Sequence, residues 1–262
     1  MRLNQKVALV TSSGSGVCAS TAQQLAREGA KVMLCGRNAA QGLATVKQIR
    51  REGGRASFVL ADIALAADVQ AAIDETIATY GRLDILFNHA SSRYPRDGLL
   101  MDVSEAVWDR GVEMMLKGTF FCCQYALPFL QQSGSGTIIN FVEKIPNSEA
   151  RSVAAICQGG VLAMTGAIAQ QFSSNAVTAN LIWASLPAED VSDVSTAISG
   201  KSILEPTNLP AGAGLMMEQI LYGPVSSDRP FSGIDEAVMY LACHGTTLHG
   251  SALVVNAPGK AT

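Results

Sequence analysis

The stretch that decides the fold is Val7-Ala8-Leu9-Val10-Thr11-Ser12-Ser13-Gly14-Ser15-Gly16-Val17-Cys18. Its first four residues form a short, continuous apolar run. A strand that alternated with solvent would show polar residues at every second position, so this one is buried on both faces. Six turn-forming residues follow, two of them glycine. From Ala19 to Glu28 the apolar positions take up helical spacing, and Gly29 closes the segment. A buried strand that turns sharply into a helix aims the free N–H groups of the helix start at the turn, which makes Gly14 and Gly16 a candidate anion cradle.

Working outward, the same unit repeats. Strands are expected at Val32–Cys35, Ser57–Ala61, Leu83–Phe87, Thr137–Phe141, Thr178–Trp183 and Ala252–Val255. Helices are expected over Ala39–Glu52, which stops at Gly53-Gly54, and over Leu65–Tyr80, Glu105–Leu130 and Ser152–Phe172. Short apolar strands alternating with helices give an α/β protein, a doubly wound parallel sheet of about seven strands with helices on both faces. The rhythm breaks between Leu186 and Phe231, which hold five of the nine prolines. Helical pieces are expected there at Val191–Ser199 and Gly214–Tyr222. An insertion after the sixth strand falls over the carboxyl ends of the strands, where such sheets bind ligands, as a lid or as an arm against a partner. With no repeat and no linker, the reading is one domain over 1–262 with a lid or arm insertion at about 186–231.

Composition narrows the function classes. The chain has 262 residues, 48% hydrophobic and 16% charged, with net charge −3. An acidic chain without a basic run is not built for nucleic acid, and the apolar bias predicts oligomerisation. The first six residues lead straight into a strand, no leader is visible, and no apolar run reaches the ~18 residues of a spanning helix. Cys18, Cys35, Cys122, Cys123, Cys157 and Cys243 form no CxxC pair and fall within predicted elements, so a reduced, cytoplasmic protein is expected. Cys243, His244 and His249 are the only grouping with ligand character, and they make no metal constellation.

At Lys6–Arg37 the chain resembles the start of a classical short-chain dehydrogenase/reductase, a Rossmann-fold family whose turn reads T-G-x-x-x-G-x-G. Thr11 and Gly16 match; Ser12 stands for the first glycine and Cys18 for the last. A serine strains a turn that needs positive φ, and a cysteine adds bulk where the helix meets the sheet. Gly36-Arg37 follow the second strand in place of an acid, a pattern that leans to NADP because an arginine pairs with a 2′-phosphate. Asp62, after the third strand, resembles the family's adenine contact, and Asn88 matches the first residue of its N-N-A-G motif, where His89 and Ser91 depart. Gly14, Gly16, Arg37, Asp62 and Asn88 are thus the candidate cofactor residues. The damaged turn leads to the expectation that this chain holds no cofactor, or NADP or NAD only weakly. The turn, Arg37, Asp62 and Asn88 are equally readable as plain structure.

The resemblance also locates the catalytic positions. Trp108-Asp109-Arg110 through Leu116-Lys117-Gly118 is similar to the family's W-D-R…N-L-K-G, with Met115 at the asparagine. Gly136-Thr137-Ile138-Ile139-Asn140 is similar to the strand leading to the serine, whose place falls at Glu143 within about two residues. Gly159-Gly160-Val161-Leu162-Ala163-Met164-Thr165 is similar to the stretch after Y-x-x-x-K and sets Gln158 at the lysine and Ala154 at the tyrosine. None of the five tyrosines has a lysine four residues on. Alanine transfers no proton, and glutamine brings no charge to lower a neighbour's pKa. Ala184-Ser185 replace the proline-glycine after the sixth strand.

Three functions follow. The first is an inactive subunit beside an active dehydrogenase, or in a homo-oligomer, paired through helices 105–130 and 152–172 as the family pairs. Met114, Met115, Phe120, Phe121, Val161, Leu162 and Met164 give those helices apolar surface. The inactive subunit of a heteromeric hydroxyacyl-CoA dehydrogenase of the benzylsuccinate type resembles this pattern. The second is a dinucleotide or small-ligand sensor. The third is an oxidoreductase of altered mechanism, with Glu143, Lys144 and His89 as its candidate groups.

Overall fold

The computed structural model describes residues 1–12, 16–90, 97–143, 151–172, 177–184, 219–222, 232–244 and 250–255. Strands β1 (Val7–Val10), β2 (Lys31–Gly36), β3 (Arg55–Leu60), β4 (Ile85–Ala90), β5 (Gly136–Glu143), β6 (Val177–Ala184), β7 (Gln219–Tyr222) and β8 (Ser251–Val255) form one sheet. The order is β3-β2-β1-β4-β5-β6-β8-β7, and every neighbouring pair runs parallel. The chain leaves β1 for β2 on one side and returns to β4 on the other, so the order switches direction between β1 and β4, where a doubly wound sheet opens its ligand crevice.

Both faces are covered. Helices α1 (Gly16–Arg27), α2 (Ala39–Arg51) and α7 (Ser232–His244) pack on one face through Val17, Ala22, Leu25, Val46, Ile49, Ile234 and Val238. The other face takes α3 (Ala66–Tyr80), α4 (Glu105–Gly111), α5 (Gly118–Gln132) and α6 (Ser152–Phe172). Full coverage is why β1 reads as an unbroken apolar run and why β1 and the eight residues of β5 are buried throughout. Local chemistry sets the ends. Asn38 caps α2 by accepting from the Gln41 N–H, Ser104 caps α4 by accepting from Val107, and Gly81 closes α3 in the left-handed conformation.

Four features differ from expectation. The long helix over 105–130 is split by a π-helical turn at Val112–Lys117, where the wider coil leaves the Met115 carbonyl to accept from the Thr119 hydroxyl at 2.7 Å. The piece expected as helix at Gly214–Tyr222 contains β7 instead: Ile220 and Leu221 extend the sheet beside β8, and pairing with a neighbour overrides local propensity. The sheet therefore has eight strands, seven of them anticipated. Helix α7 was not anticipated, because the irregular composition before it hid its start. Val191–Ser199 and the rest of the insertion lie outside the described residues. Finally, α6 carries no charged residue over 21 positions and is long and apolar enough to cross a membrane by length and composition alone. The apolar run is interrupted by Gln158, Gly159 and Gly160, which is why it escapes a search for continuous stretches. Its inner side is packed on β5 and β6, as the cover of a buried sheet must be.

Candidate functional site

The crevice is built from the carboxyl ends of β1, β4, β5 and β6 with the first turns of α1 and α6. On the β1 side, Ser12 stands at φ +54° and Gly16 at φ +61°. Ser12 thus adopts the left-handed conformation that the turn requires, at a steric cost of about 1–2 kcal/mol for an L-residue, and the loss of glycine there does not unmake the turn. A Cβ at Gly16 would meet nothing within 4 Å, so the space before the α1 N-terminus is open. Gly14 lies outside the described residues.

Two departures from the family pattern turn out to touch. Cys18, on the first turn of α1, lies 3.1 Å from His89 Nδ1 at the end of β4. Burial holds the Cys18 thiol well above its ordinary pKa, so the contact joins a neutral S–H and the imidazole. The bulk of Cys18 is accommodated: the side chain is buried beside Val17 and Ala22 in the core. The His89 ring stands edge-on to Phe141, centroids 5.1 Å apart. Neither half of this pair is informative alone in a sequence; only the contact relates them.

A buried polar chain braces the crevice floor. The His89 N–H donates to Thr11 Oγ1 at 3.3 Å, and Thr11 Oγ1 donates to Asn88 Oδ1 at 3.3 Å. Asn88 Nδ2 donates to Asn140 Oδ1 at 3.0 Å, Asn140 Nδ2 to Thr165 Oγ1 at 2.8 Å, and Thr165 to the Val161 carbonyl at 2.7 Å. The chain crosses from β1 through β4 and β5 to α6, and Thr11, Asn88, Asn140 and Thr165 are all buried. Asn88 therefore holds strands together. Asn140 and Thr165 were missed as its partners, since nothing in a strand pattern marks which polar residue faces which.

The other candidates on the cofactor side also meet. Arg37 Nη1 lies 3.8 Å from Asp62 Oδ2, and Arg110 Nη2 lies 4.0 Å from the same oxygen. Asp62 also accepts from the Ala64 N–H, which shapes the turn after β3. Arg37 is more than half exposed and remains available to an anion.

The four positions that the resemblance assigned to catalytic roles, Met115, Glu143, Ala154 and Gln158, converge. Glu143 ends β5, buried beside β6, and its carbonyl accepts from Gln158 Nε2 at 2.5 Å. Ala154 lies one turn before Gln158, and Met115 on the π turn shares an apolar cluster with Ala154, Val142, Val153, Cys157 and Trp183. Asp97 is a residue the sequence reading passed over. Its carboxylate accepts from the Val153 N–H at 3.1 Å and the Ala154 N–H at 2.8 Å, capping the start of α6. The Cys157 thiol, on that first stretch of α6, is pushed up to about 11 by burial and by the Asp97 charge. Lys144 and Ser185 lie outside the described residues. Among those described, no group of three or more His, Cys, Asp or Glu could hold a metal.

A model of the short chain dehydrogenase family matches residues 6–188. The chain belongs to that family. It is 35% identical over 199 residues to the 3-oxoacyl-[acyl-carrier-protein] reductase FabG of Staphylococcus aureus, covering 74% of this chain and 78% of FabG. It is 32% identical over 200 residues to the (2S)-[(R)-hydroxy(phenyl)methyl]succinyl-CoA dehydrogenase subunit BbsD of Thauera aromatica, covering 72% of this chain and 80% of BbsD. A crystal structure of a dehydrogenase/reductase from Sinorhizobium meliloti superposes with TM-score 0.77 at 26% identity, covering 99% of this chain and 96% of that one.

Membership corrects the expectation about cofactor. The altered turn suggested a chain with no dinucleotide, or a weakly held one. Members of this family normally bind NAD(P), the family match runs through the turn, and relatives at this identity are named reductases. The physical reason is visible at Ser12: such a cradle is made of backbone, and this serine takes the positive φ that a glycine would. The residues present fit the group. Gly16 and the start of α1 would face its pyrophosphate, Arg37 and Asp62 its adenosine end, and the bound nicotinamide would supply or accept a hydride.

Proposed function

We propose that this chain is a dinucleotide-binding short-chain dehydrogenase that does not itself transfer hydride and that serves as a structural or regulatory subunit beside an active dehydrogenase. The observation that carries the reading is the apolar packing of Met115 and Ala154 at the catalytic end, with Gln158 Nε2 donating to the Glu143 carbonyl. Hydride transfer to a carbonyl needs a proton donor at its oxygen, and each missing acid–base group costs about 10²–10⁴ in rate. In this reading Ala154, Gln158, Met115 and Glu143 stand where a tyrosine, a lysine, an asparagine and a serine do that work. Arg37, with its free face at the end of β2, favours a nucleotide bearing a 2′-phosphate.

The surface supports a subunit role. Phe120 on α5 and Ile156 on α6 are nearly half exposed, and Trp108 on α4 is 39% exposed. The outer side of α6 presents Ala155, Ile156, Gly159, Ala163 and Ala167, small or apolar and uncharged, which lets another helix approach closely. The partner is a second subunit of this fold seated on α5 and α6, with an intact Y-x-x-x-K. Leu162 and Phe121, two of the residues expected to give these helices apolar surface, serve the chain's own packing: Leu162 is buried, and Phe121 stacks on Tyr125 beneath Lys117. Phe120 and Ile156 are the outward ones.

Three measurements on the purified chain test the proposal: NADPH binding by calorimetry, turnover with neutral ketones, and native pull-down with light scattering. Binding without turnover, and recovery in a complex of at least two such subunits, is the expected result. An interface of this kind buries about 2,000 Å² or more, so Ile156→Glu should dissociate it. Steady turnover by the isolated chain, lost on substituting one of its own residues, would overturn the non-catalytic role. A stable monomer with no partner overturns the subunit role and leaves a dinucleotide sensor.

A further inference from the structure

At the vacated catalytic end one polar hydrogen is left over. Trp183 is the penultimate residue of β6, its backbone paired with Val142 on β5 and Val254 on β8. Its side chain is 7% exposed, packed among Met115, Val142, Ala154 and Cys157. Its indole Nε1 is shut off from solvent and has no hydrogen-bond partner among the described residues. A buried donor without an acceptor costs about 1–3 kcal/mol, and indole N–H groups normally find one. The neighbouring Gln158 donates from Nε2 to the Glu143 carbonyl and is not bonded to the indole. The position is the carboxyl end of a central strand, where a doubly wound sheet binds its ligands.

We propose that Trp183 Nε1–H is the donor that fixes the oxygen of a bound ligand at this end of the crevice, and that the ligand is an uncharged carbonyl compound with an apolar flank. The charge follows from the surroundings. The apolar side chains that share its cluster are Met115, Val142, Ala154 and Cys157, and two carboxylates adjoin that cluster: Asp97 on the Ala154 N–H and Glu143 next to Val142. A carboxylate placed here would be desolvated and beside other carboxylates, at a cost of several kcal/mol. A ketone, ester or thioester oxygen removes the penalty of the orphan N–H and adds no charge. An indole holds such an oxygen but releases no proton to it, so the ligand is bound and oriented, not reduced. The proposal rests on reading Met115, Ala154 and Gln158 as the former catalytic end.

The test uses the full chain saturated with NADPH and labelled with ¹⁵N at its two tryptophans, Trp108 and Trp183. Trp108→Phe assigns the two indole N–H signals without touching the site. The probes are acetophenone, 2-heptanone and the N-acetylcysteamine thioester of 3-oxobutanoate, each against benzoate or heptanoate. The expected result is a downfield shift of the Trp183 N–H with at least one neutral probe, slower exchange of that hydrogen, and no response to the acids. Trp183→Phe, which keeps an aromatic ring, should weaken that probe about tenfold, the loss of roughly 1.4 kcal/mol, while NADPH binding stays unchanged. No shift with any neutral probe, an equal response to the carboxylates, or full affinity in Trp183→Phe overturns the proposal. Turnover of a probe in the same sample would overturn the non-catalytic reading while leaving the Trp183 contact intact, so the two failures are distinguishable.

Discussion

Replacing Asn140 by alanine is the sharpest single probe of how the crevice is held. Asn140 is fully buried in the middle of β5 and is the one residue that joins the Thr11–Asn88 pair to α6. Its removal strips Asn88 Nδ2 of its amide acceptor and leaves it only the Cys123 sulfur at 3.4 Å. Thr165 keeps its donation to Val161 and loses only an incoming N–H. The first loss costs about 1–3 kcal/mol, and the void left by the deleted amide adds about 1 kcal/mol. The expected total is about 2–4 kcal/mol, a fall in Tm of roughly 5–15 °C for a chain of this size. Thr165→Val leaves the buried Asn140 Nδ2 without its acceptor but opens no void, and should cost about 1–3 kcal/mol. Urea unfolding followed by circular dichroism, at one fixed protein concentration because association shifts stability, reads both variants. The double variant should cost less than the sum of the two. An Asn140→Ala protein within 0.5 kcal/mol of the wild type, or one less damaged than Thr165→Val, refutes the idea that this chain is a brace.

Ser12→Gly should stabilise the fold by about 0.5–1 kcal/mol, because the left-handed strain of about 1–2 kcal/mol disappears while glycine's greater unfolded-state freedom takes back part of it; it should tighten NADPH binding as well, and lower stability with weaker binding would argue against a strained turn. Asp97→Ala frees two N–H groups at the start of α6 and should cost about 1–2 kcal/mol, with Asp97→Asn recovering most of it; equal loss in both variants would deny the cap. Burial pushes Cys35 and Cys123 up to about 12, so the folded state keeps these protons above the ordinary thiol range while the unfolded chain releases them. Stability should be whole below about pH 9 and fall as pH rises from 9 towards 12, while Cys243, the partly exposed thiol, reacts first with a disulfide reagent at pH 8; rapid labelling of all six would contradict the burial.

The alternation of short apolar runs with helical spacing determined the fold by itself. A strand without polar alternation has no solvated face, and a parallel sheet covered by helices on both faces is the arrangement that satisfies a series of them. The motif remnants also ordered themselves along the chain, and the structure brings Glu143, Ala154, Gln158 and Met115 to one end of the crevice as their spacing suggested. What the sequence misjudged was the turn. Ser12 in place of glycine looked disabling because residue identity says what φ a position prefers, not what φ its surroundings impose. Only tertiary structure decided the rest. The Cys18–His89 contact, the Asn88–Asn140–Thr165 chain and the Asp97 cap join residues that lie 71, 52, 25 and about 56 positions apart. Strand β7 takes its form from pairing with β8, and Trp183 Nε1 finds no acceptor among the described residues. Local periodicity reports which way a side chain faces, whereas the partner it meets is fixed by the folding of distant segments together.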